Sequence, residues 1–178
     1  NIKESMTVIA VLGGSLGSDK INKTIRENIE FLISKNVFII WQCGKSYYND
    51  YKSFNSDKIF VTDFIEDIDS IYFTSDIIIA RSGALTLSEL AIVSKPSILI
   101  PFAHAAGDHQ TKNADSLFQA GAARVLTEKH LNSKKFLHAV MSLVHNQKEL
   151  DKMSRSSLKL GHPNATKKIV DHIIKEIE

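Results

Sequence analysis

The sequence predicts an α/β fold in which one parallel six-stranded sheet carries helices on both faces. Three observations predict it. Short, continuous, β-branched apolar runs recur along the chain, which is how strands buried on both faces read. Amphipathic helical patterns alternate with those runs. No internal repeat or long linker divides the 178 residues, and a chain of that length builds one well-buried domain. Composition agrees: 43% hydrophobic and 24% charged residues is a globular balance. The net charge of +2, with lysines scattered among acids, gives no argument for a nucleic-acid partner. A single cysteine, Cys43, excludes an internal disulfide and an all-cysteine metal site. Its place at the end of an apolar run suggests a small buried residue near a strand end and fits a reducing compartment. No apolar run approaches the roughly 20 residues of a membrane span, and the first residues carry no signal-peptide pattern.

The elements follow in order. Thr7 to Leu12 is the first strand, and Gly13-Gly14-Ser15-Leu16-Gly17 turns it into a helix whose apolar face is Ile21, Ile25, Ile29, Leu32 and Ile33. The glycine spacing is neither the full dinucleotide fingerprint nor a Walker motif, so it reads equally as a structural turn or a nucleotide loop. On the second reading Ser15 sets a hydroxyl at the mouth of the turn beside exposed N–H groups. Val37 to Gln42 is the second strand, ended by Gly44-Lys45-Ser46 before a short helix over Tyr47 to Tyr51. Lys58 to Val61 is the third. Phe64-Ile65 opens the next loop, either as core packing or as a shelf for a planar base, and Ile68, Ile71 and Tyr72 form a short helical face.

Asp76 to Ala80 is the fourth strand and delivers the stretch Arg81-Ser82-Gly83-Ala84-Leu85-Thr86-Leu87-Ser88-Glu89. Ser82 and Gly83 supply a cap and a turn, and Leu85, Ser88, Glu89 and Ile92 continue at helical spacing. The free N–H groups of Ala84, Leu85 and Thr86 then point out of a helix N-terminus, where anions bind. Thr86 and Glu89 share a face, with a hydroxyl near the anion and a carboxylate one turn deeper, able to take both hydroxyls of a ribose. An ordinary capped helix with a solvated Glu reads from the same residues. Ser97 to Ile100 is the fifth strand, after the Lys95-Pro96 turn. The loop from Pro101 to Gln110 is rich in small residues, which let a backbone approach a ligand. Asp108 caps a helix over His109 to Ala120, with Gln110 and Asn113 on its first turn facing back to the loop. His109 is either a ligand contact or a surface residue. The seven histidines show no His-x-x-x-His pair with a nearby acid, so no metal and no cofactor are expected. Gly121 closes that helix and Ala122 to Leu126 is the sixth strand. Leu131 to Val144, Leu150 to Leu160 and Ala165 to Ile177 are amphipathic helices. The last carries the stripe Ile169, Ile173, Ile174 and Ile177, which packs on this domain or reaches toward another. Every polar cluster follows a strand, at the carboxyl edge where such sheets bind ligands.

Gly13-Gly14-Ser15, Phe64-Ile65, Arg81-Ser82-Gly83-Ala84 through Glu89, Pro101-Phe102 and Asp108-His109-Gln110-Thr111-Lys112-Asn113-Ala114 stand in an order and spacing that resembles the C-terminal domain of the MurG family. These peptidoglycan transferases move N-acetylglucosamine from its UDP sugar onto undecaprenyl-pyrophosphoryl-N-acetylmuramyl pentapeptide. The resemblance runs from about Val8 to the final helix. It implies a Rossmann-like domain, one half of a GT-B glycosyltransferase, that binds UDP-N-acetylglucosamine without a cofactor. By the same resemblance Ile65 contacts the uracil through its backbone with Phe64 beside it, Glu89 holds the ribose, and Ser15, Ala84, Leu85 and Thr86 surround the pyrophosphate. Arg81, Ser82, Gly83 and Asn113 complete the donor site, and His109 and Gln110 bind the sugar hydroxyls. His109 stands where some relatives carry another Gln. Residues 1–178 then form a single nucleotide-sugar-binding domain. The family's N-terminal half, with its acceptor loops and the histidine thought to act as base, is not in this chain. The whole enzyme is expected to be cytoplasmic and peripheral on the inner face of the membrane, and this half alone to be inactive. The alternative is a non-catalytic subunit that pairs with a separate membrane-bound acceptor subunit; whether the gene continues upstream of Asn1 discriminates the two. An epimerase half shares the fold, but no convincing carboxylate pair supports one.

Overall fold

The computed structural model describes residues 5–177. Six strands, β1 (Thr7–Leu12), β2 (Val37–Gln42), β3 (Ile59–Thr62), β4 (Ile77–Ala80), β5 (Ser97–Leu99) and β6 (Ala123–Val125), form one sheet. All neighbours are parallel, in the order β3-β2-β1-β4-β5-β6. The helices are α1 (Asp19–Ser34), α2 (Tyr48–Tyr51), α3 (Ile68–Thr74), α4 (Ala84–Val93), α5 (His109–Gln119), α6 (Ser133–Met141), α7 (Gln147–Leu158) and α8 (Ala165–Ile177). The chain winds outward from β1 through β2 to β3, then returns to start again at β4. The order therefore reverses between β1 and β4, and at that switch point a crevice opens beyond the carboxyl ends of the strands.

Successive strand residues feed opposite faces. Ile9, Val11, Ile39, Trp41, Ile77 and Ile79 pack with Ile21, Ile25 and Ile29 of α1 and Phe136 of α6 on one side. Val8, Ala10, Leu12, Ile78 and Ala80 pack with Tyr72, Leu87, Leu90 and Leu117 on the other. This double burial explains the unbroken apolar runs, and all six residues of β1 are buried. Element ends shift where side chains cap them. α6 starts at Ser133 because Asn132 Oδ1 accepts the N–H of Lys135 at 3.0 Å. α7 starts at Gln147, not Leu150, because Asn146 Oδ1 accepts the N–H of Glu149 at 3.3 Å.

The loops after β1 and β2 interlock. Gly17 and Gly44 both have positive φ, 81° and 89°. A Cβ on Gly17 would overlap the Cys43 carbonyl, and one on Gly44 would overlap the backbone of Gly17. Beneath them Trp41, fully buried, donates from Nε1 to Asn22 Oδ1 at 2.9 Å, and Asn22 Nδ2 donates to the Cys43 carbonyl at 2.9 Å. Every polar atom of that buried trio thus finds a partner, so its burial costs little. Cys43 is buried as expected, and burial pushes its thiol pKa up. The apolar stripe on α8 is present but none of that helix is buried; Ile169, Ile173, Ile174 and Ile177 are between 49% and 78% exposed. No helix among the described residues is long and apolar enough to cross a membrane.

Candidate functional site

Because every strand points the same way, the loops after β1, β3, β4 and β5 gather on one edge. The loop after β4 is the centre. Gly83 is the N-cap of α4, in an extended conformation and without a side chain to close the helix, and no acid stands in the first turn. Helical bonding starts with the N–H of Leu87 donating to the Gly83 carbonyl. The N–H groups of Ala84, Leu85 and Thr86 therefore have no partner among the described residues, at the positive end of the helix dipole. Ala84 and Leu85 are exposed and Thr86 half-buried.

Ser82 does not cap α4, contrary to the expectation. It is fully buried, and its Oγ donates to the Gln110 carbonyl at 2.7 Å while its own carbonyl accepts from Asn113 Nδ2 at 3.2 Å. These bonds fasten the first turn of α5 to the start of α4. Gln110 Oε1 in turn accepts the N–H of Phe102 at 3.0 Å, which holds the loop after β5. The amide nitrogen of Gln110 has no hydrogen-bond partner among the described residues. Asp108 occupies the N-cap position of α5 but in a left-handed conformation, and its carboxylate accepts from the Thr111 hydroxyl at 2.6 Å instead of from a backbone N–H. His109 is exposed; its Nδ1 lies 2.7 Å from the Ala106 carbonyl. A carbonyl only accepts, so Nδ1 carries the proton and Nε2 is left as an acceptor when the ring is neutral.

Glu89, one turn into α4, is half-buried. Its Oε2 accepts from the Tyr72 hydroxyl at 2.8 Å. On the β3 side Phe64 is half-exposed with Lys45 Nζ 6.0 Å from its ring centre, and Ile65 is buried with its N–H donating to Gln42 Oε1 at 3.3 Å. Ser15 is exposed at the tip of the β1 loop, where its carbonyl accepts the N–H of Lys45 at 3.3 Å.

Arg81 is a strut. Its Nη1 donates to the carbonyls of Ile100 and Pro101 at 3.0 and 3.1 Å, and its Nη2 donates to Ser18 Oγ at 2.7 Å and pairs with Glu128 at 2.6 Å. The guanidinium also lies over the Phe102 ring. With those donors engaged, its role is to hold the ends of β4 and β5 and the start of α1 together. A hollow of about 440 Å³ at this edge brings Arg81 and Gln110 together with Gly13, Ser18, Phe102 and Glu128. No group of three metal-ligating side chains stands together among the described residues.

Comparison with known proteins gives the family. The model of the glycosyltransferase family 28 C-terminal domain matches residues 8–172. The chain belongs to this family. Within the glycosyltransferase family 28 C-terminal domains, one similar relative is a UDP-N-acetylglucosamine--N-acetylmuramyl-(pentapeptide) pyrophosphoryl-undecaprenol N-acetylglucosamine transferase of Flavobacterium psychrophilum. It is 46% identical over 171 residues, which are 96% of this chain and 46% of that protein. Its counterpart in Cytophaga hutchinsonii is 40% identical over 99% of this chain and 47% of that protein. The crystal structure of Acinetobacter baumannii MurG superposes with a TM-score of 0.83 at 29% identity, covering 97% of this chain and 51% of that one. The chain thus spans about half the length of the curated relatives it matches. A UDP-N-acetylglucosamine 2-epimerase from Neisseria meningitidis, 15% identical with a TM-score of 0.67, shares the fold alone.

For this family 28 domain, sequence reasoning missed the residues that aim the predicted ones. Gln42 at the end of β2, which holds Ile65, Tyr72 beneath Glu89 and Glu128 beside Arg81 act across 17 to 47 residues of sequence. Only Gln42 left a signal, as a polar side chain closing an otherwise apolar strand.

Proposed function

We propose that this chain is the donor-binding half of an N-acetylglucosaminyl transferase acting on a lipid-linked muramyl-pentapeptide acceptor, one domain of a two-domain GT-B enzyme. The observation that carries the reading is α4 itself. An uncapped helix N-terminus stands with Glu89 one turn deeper at the switch-point edge, in a family 28 domain 46% identical to a protein of that name. The pyrophosphate of UDP-N-acetylglucosamine lies against the N–H groups of Ala84, Leu85 and Thr86, with Thr86 and Ser15 adding hydroxyls. Glu89 takes the ribose hydroxyls and Ile65 with Phe64 the uracil. Gln110 and His109 reach the sugar through an amide and an imidazole nitrogen that intramolecular bonds leave free. As the sugar leaves, negative charge grows on the UDP phosphates, and the fixed dipole of α4 stabilises it without reorganising.

Transfer also needs a base within about 3 Å of the acceptor hydroxyl and an acceptor held in line with the anomeric carbon. Both belong to a second, N-terminal acceptor domain, and the complete enzyme works at the cytoplasmic face of the membrane where the lipid-linked acceptor is. Titration of the chain with UDP, followed by chemical shifts, tests the reading: UDP moves resonances in the loops after β1, β3, β4 and β5, and silence in all four overturns it. Thr86→Ala and Ser15→Ala each weaken UDP while leaving uridine nearly unchanged, because only the phosphates meet those hydroxyls. A radiolabelled transfer assay with residues 1–178 alone gives no product, and turnover there refutes the half-enzyme assignment.

A further inference from the structure

Tyr72 of α3 and Glu89 of α4 lie 17 residues apart and meet through their side chains. The phenol is 3% exposed, set in the apolar layer with Val8, Ile65 and Leu87. Its hydroxyl donates to Glu89 Oε2 at 2.8 Å, and no other bond is made to that carboxylate among the described residues. Burial first, then the neighbouring carboxylate, pushes the phenol pKa up, so the hydroxyl stays protonated and keeps donating. A Glu on a helix surface samples several rotamers, and freezing them when a ligand arrives costs affinity. Here the rotamer is already held. One oxygen is occupied from below and Oε1 is left open.

We propose that Tyr72 is the positioning residue for ribose recognition: by holding Oε2 from inside the core it fixes Glu89 and presents Oε1 to the nucleotide's 2′-hydroxyl. This rests on the donor-site reading above. It also ties the segment that follows the Phe64-Ile65 loop to α4, so a single hydroxyl sets ribose contact and base-side helix in register. The role differs from packing, since the ring alone would fill the same space.

The test compares UDP with 2′-deoxy-UDP by calorimetric titration of the chain. Wild type prefers UDP, and Tyr72→Phe, which keeps the ring, lowers that preference about threefold to tenfold, the scale of ordering one side chain. In a Glu89→Ala background the same substitution changes the preference no further, because Tyr72 acts only through Glu89. Equal weakening of both ligands by Tyr72→Phe, or an unchanged preference with Glu89→Ala still losing it, overturns the positioning role and leaves the donor site standing. A preference that survives Glu89→Ala overturns the ribose contact itself, and Tyr72 with it. Should the phenylalanine variant fail to fold, wild-type chain labelled with ¹³Cζ-tyrosine decides. The Tyr72 signal moves on UDP binding and moves less with 2′-deoxy-UDP; an equal response to both overturns the proposal.

Discussion

Two helix N-termini at the same sheet edge are finished in opposite ways. α1 is closed from within: Ser18 Oγ accepts the N–H of Ile21 at 3.4 Å, and Asp19 sets a negative charge in the first turn. α4 has glycine at its cap and no acid in its first turn. The dipoles are alike, so the difference lies in what the chain supplies to them. An anion arriving at α1 meets a filled cap and a carboxylate; one arriving at α4 meets three free N–H groups. Capacity to bind is therefore written in the omission of a cap, not in the presence of a helix. Arg81 joins the two ends, with one hand on the α1 cap and the other on the carbonyls that lead into the β5 loop.

Removing that joint breaks the comparison most severely. Arg81→Ala strands the Glu128 carboxylate and three acceptors in a largely buried setting, and urea titration should show a loss of about 3 kcal/mol. A loss below about 1 kcal/mol would mean the two ends are held by something else. Next in size, Glu89→Gln should cost about 1.5 to 3 kcal/mol in UDP binding while leaving the melting temperature nearly unchanged. Gly83→Asp sharpens the contrast by making α4 resemble α1. The backbone there, φ −65° and ψ 147°, suits any residue, and a Cβ meets only Thr86 Oγ1 at 4.0 Å. UDP affinity should fall more than tenfold, about 1.4 kcal/mol, while stability rises by about 0.5 kcal/mol from the added cap and charge. Affinity that survived an internal carboxylate would place the phosphates elsewhere. Smallest is Ser18→Ala, which should lower stability by about 1 kcal/mol and leave the UDP dissociation constant within about twofold.

The fold was legible because a parallel sheet buried on both faces turns each strand into an unbroken apolar run. Ile77-Ile78-Ile79 can be nothing else in this setting, and the strand-end loops then fall on one edge by topology alone. The geometry of the candidate site was legible as far as each loop acts locally: the free N–H groups of Ala84 to Thr86 and the spacing of Glu89 are properties of one helix. What stayed hidden is decided by distant partners. Ser82 looks like a cap in sequence, yet the Gln110 carbonyl claims its hydroxyl. Arg81 is counted in the donor site by resemblance, yet two carbonyls, Ser18 and Glu128 occupy its guanidinium. Tyr72 looks like plain core until its hydroxyl is followed to Glu89. In each case a competing hydrogen-bond partner, brought close only by tertiary packing, outweighs the local pattern.

The crossed glycines, Gly17 and Gly44, bear on how this chain can change over generations. A clash created by mutation is ordinarily relieved by shrinking the neighbour, which is how many harmful substitutions become tolerable in a second step. Here the clash at each position is with backbone, the Cys43 carbonyl for Gly17 and Gly17 itself for Gly44, and both need positive φ. Shrinking a side chain cannot relieve a clash with backbone, so the crossing resists substitution at both glycines. Variation at this sheet edge must go around that crossing, through Ser15, Leu16 or Lys45, and never through it.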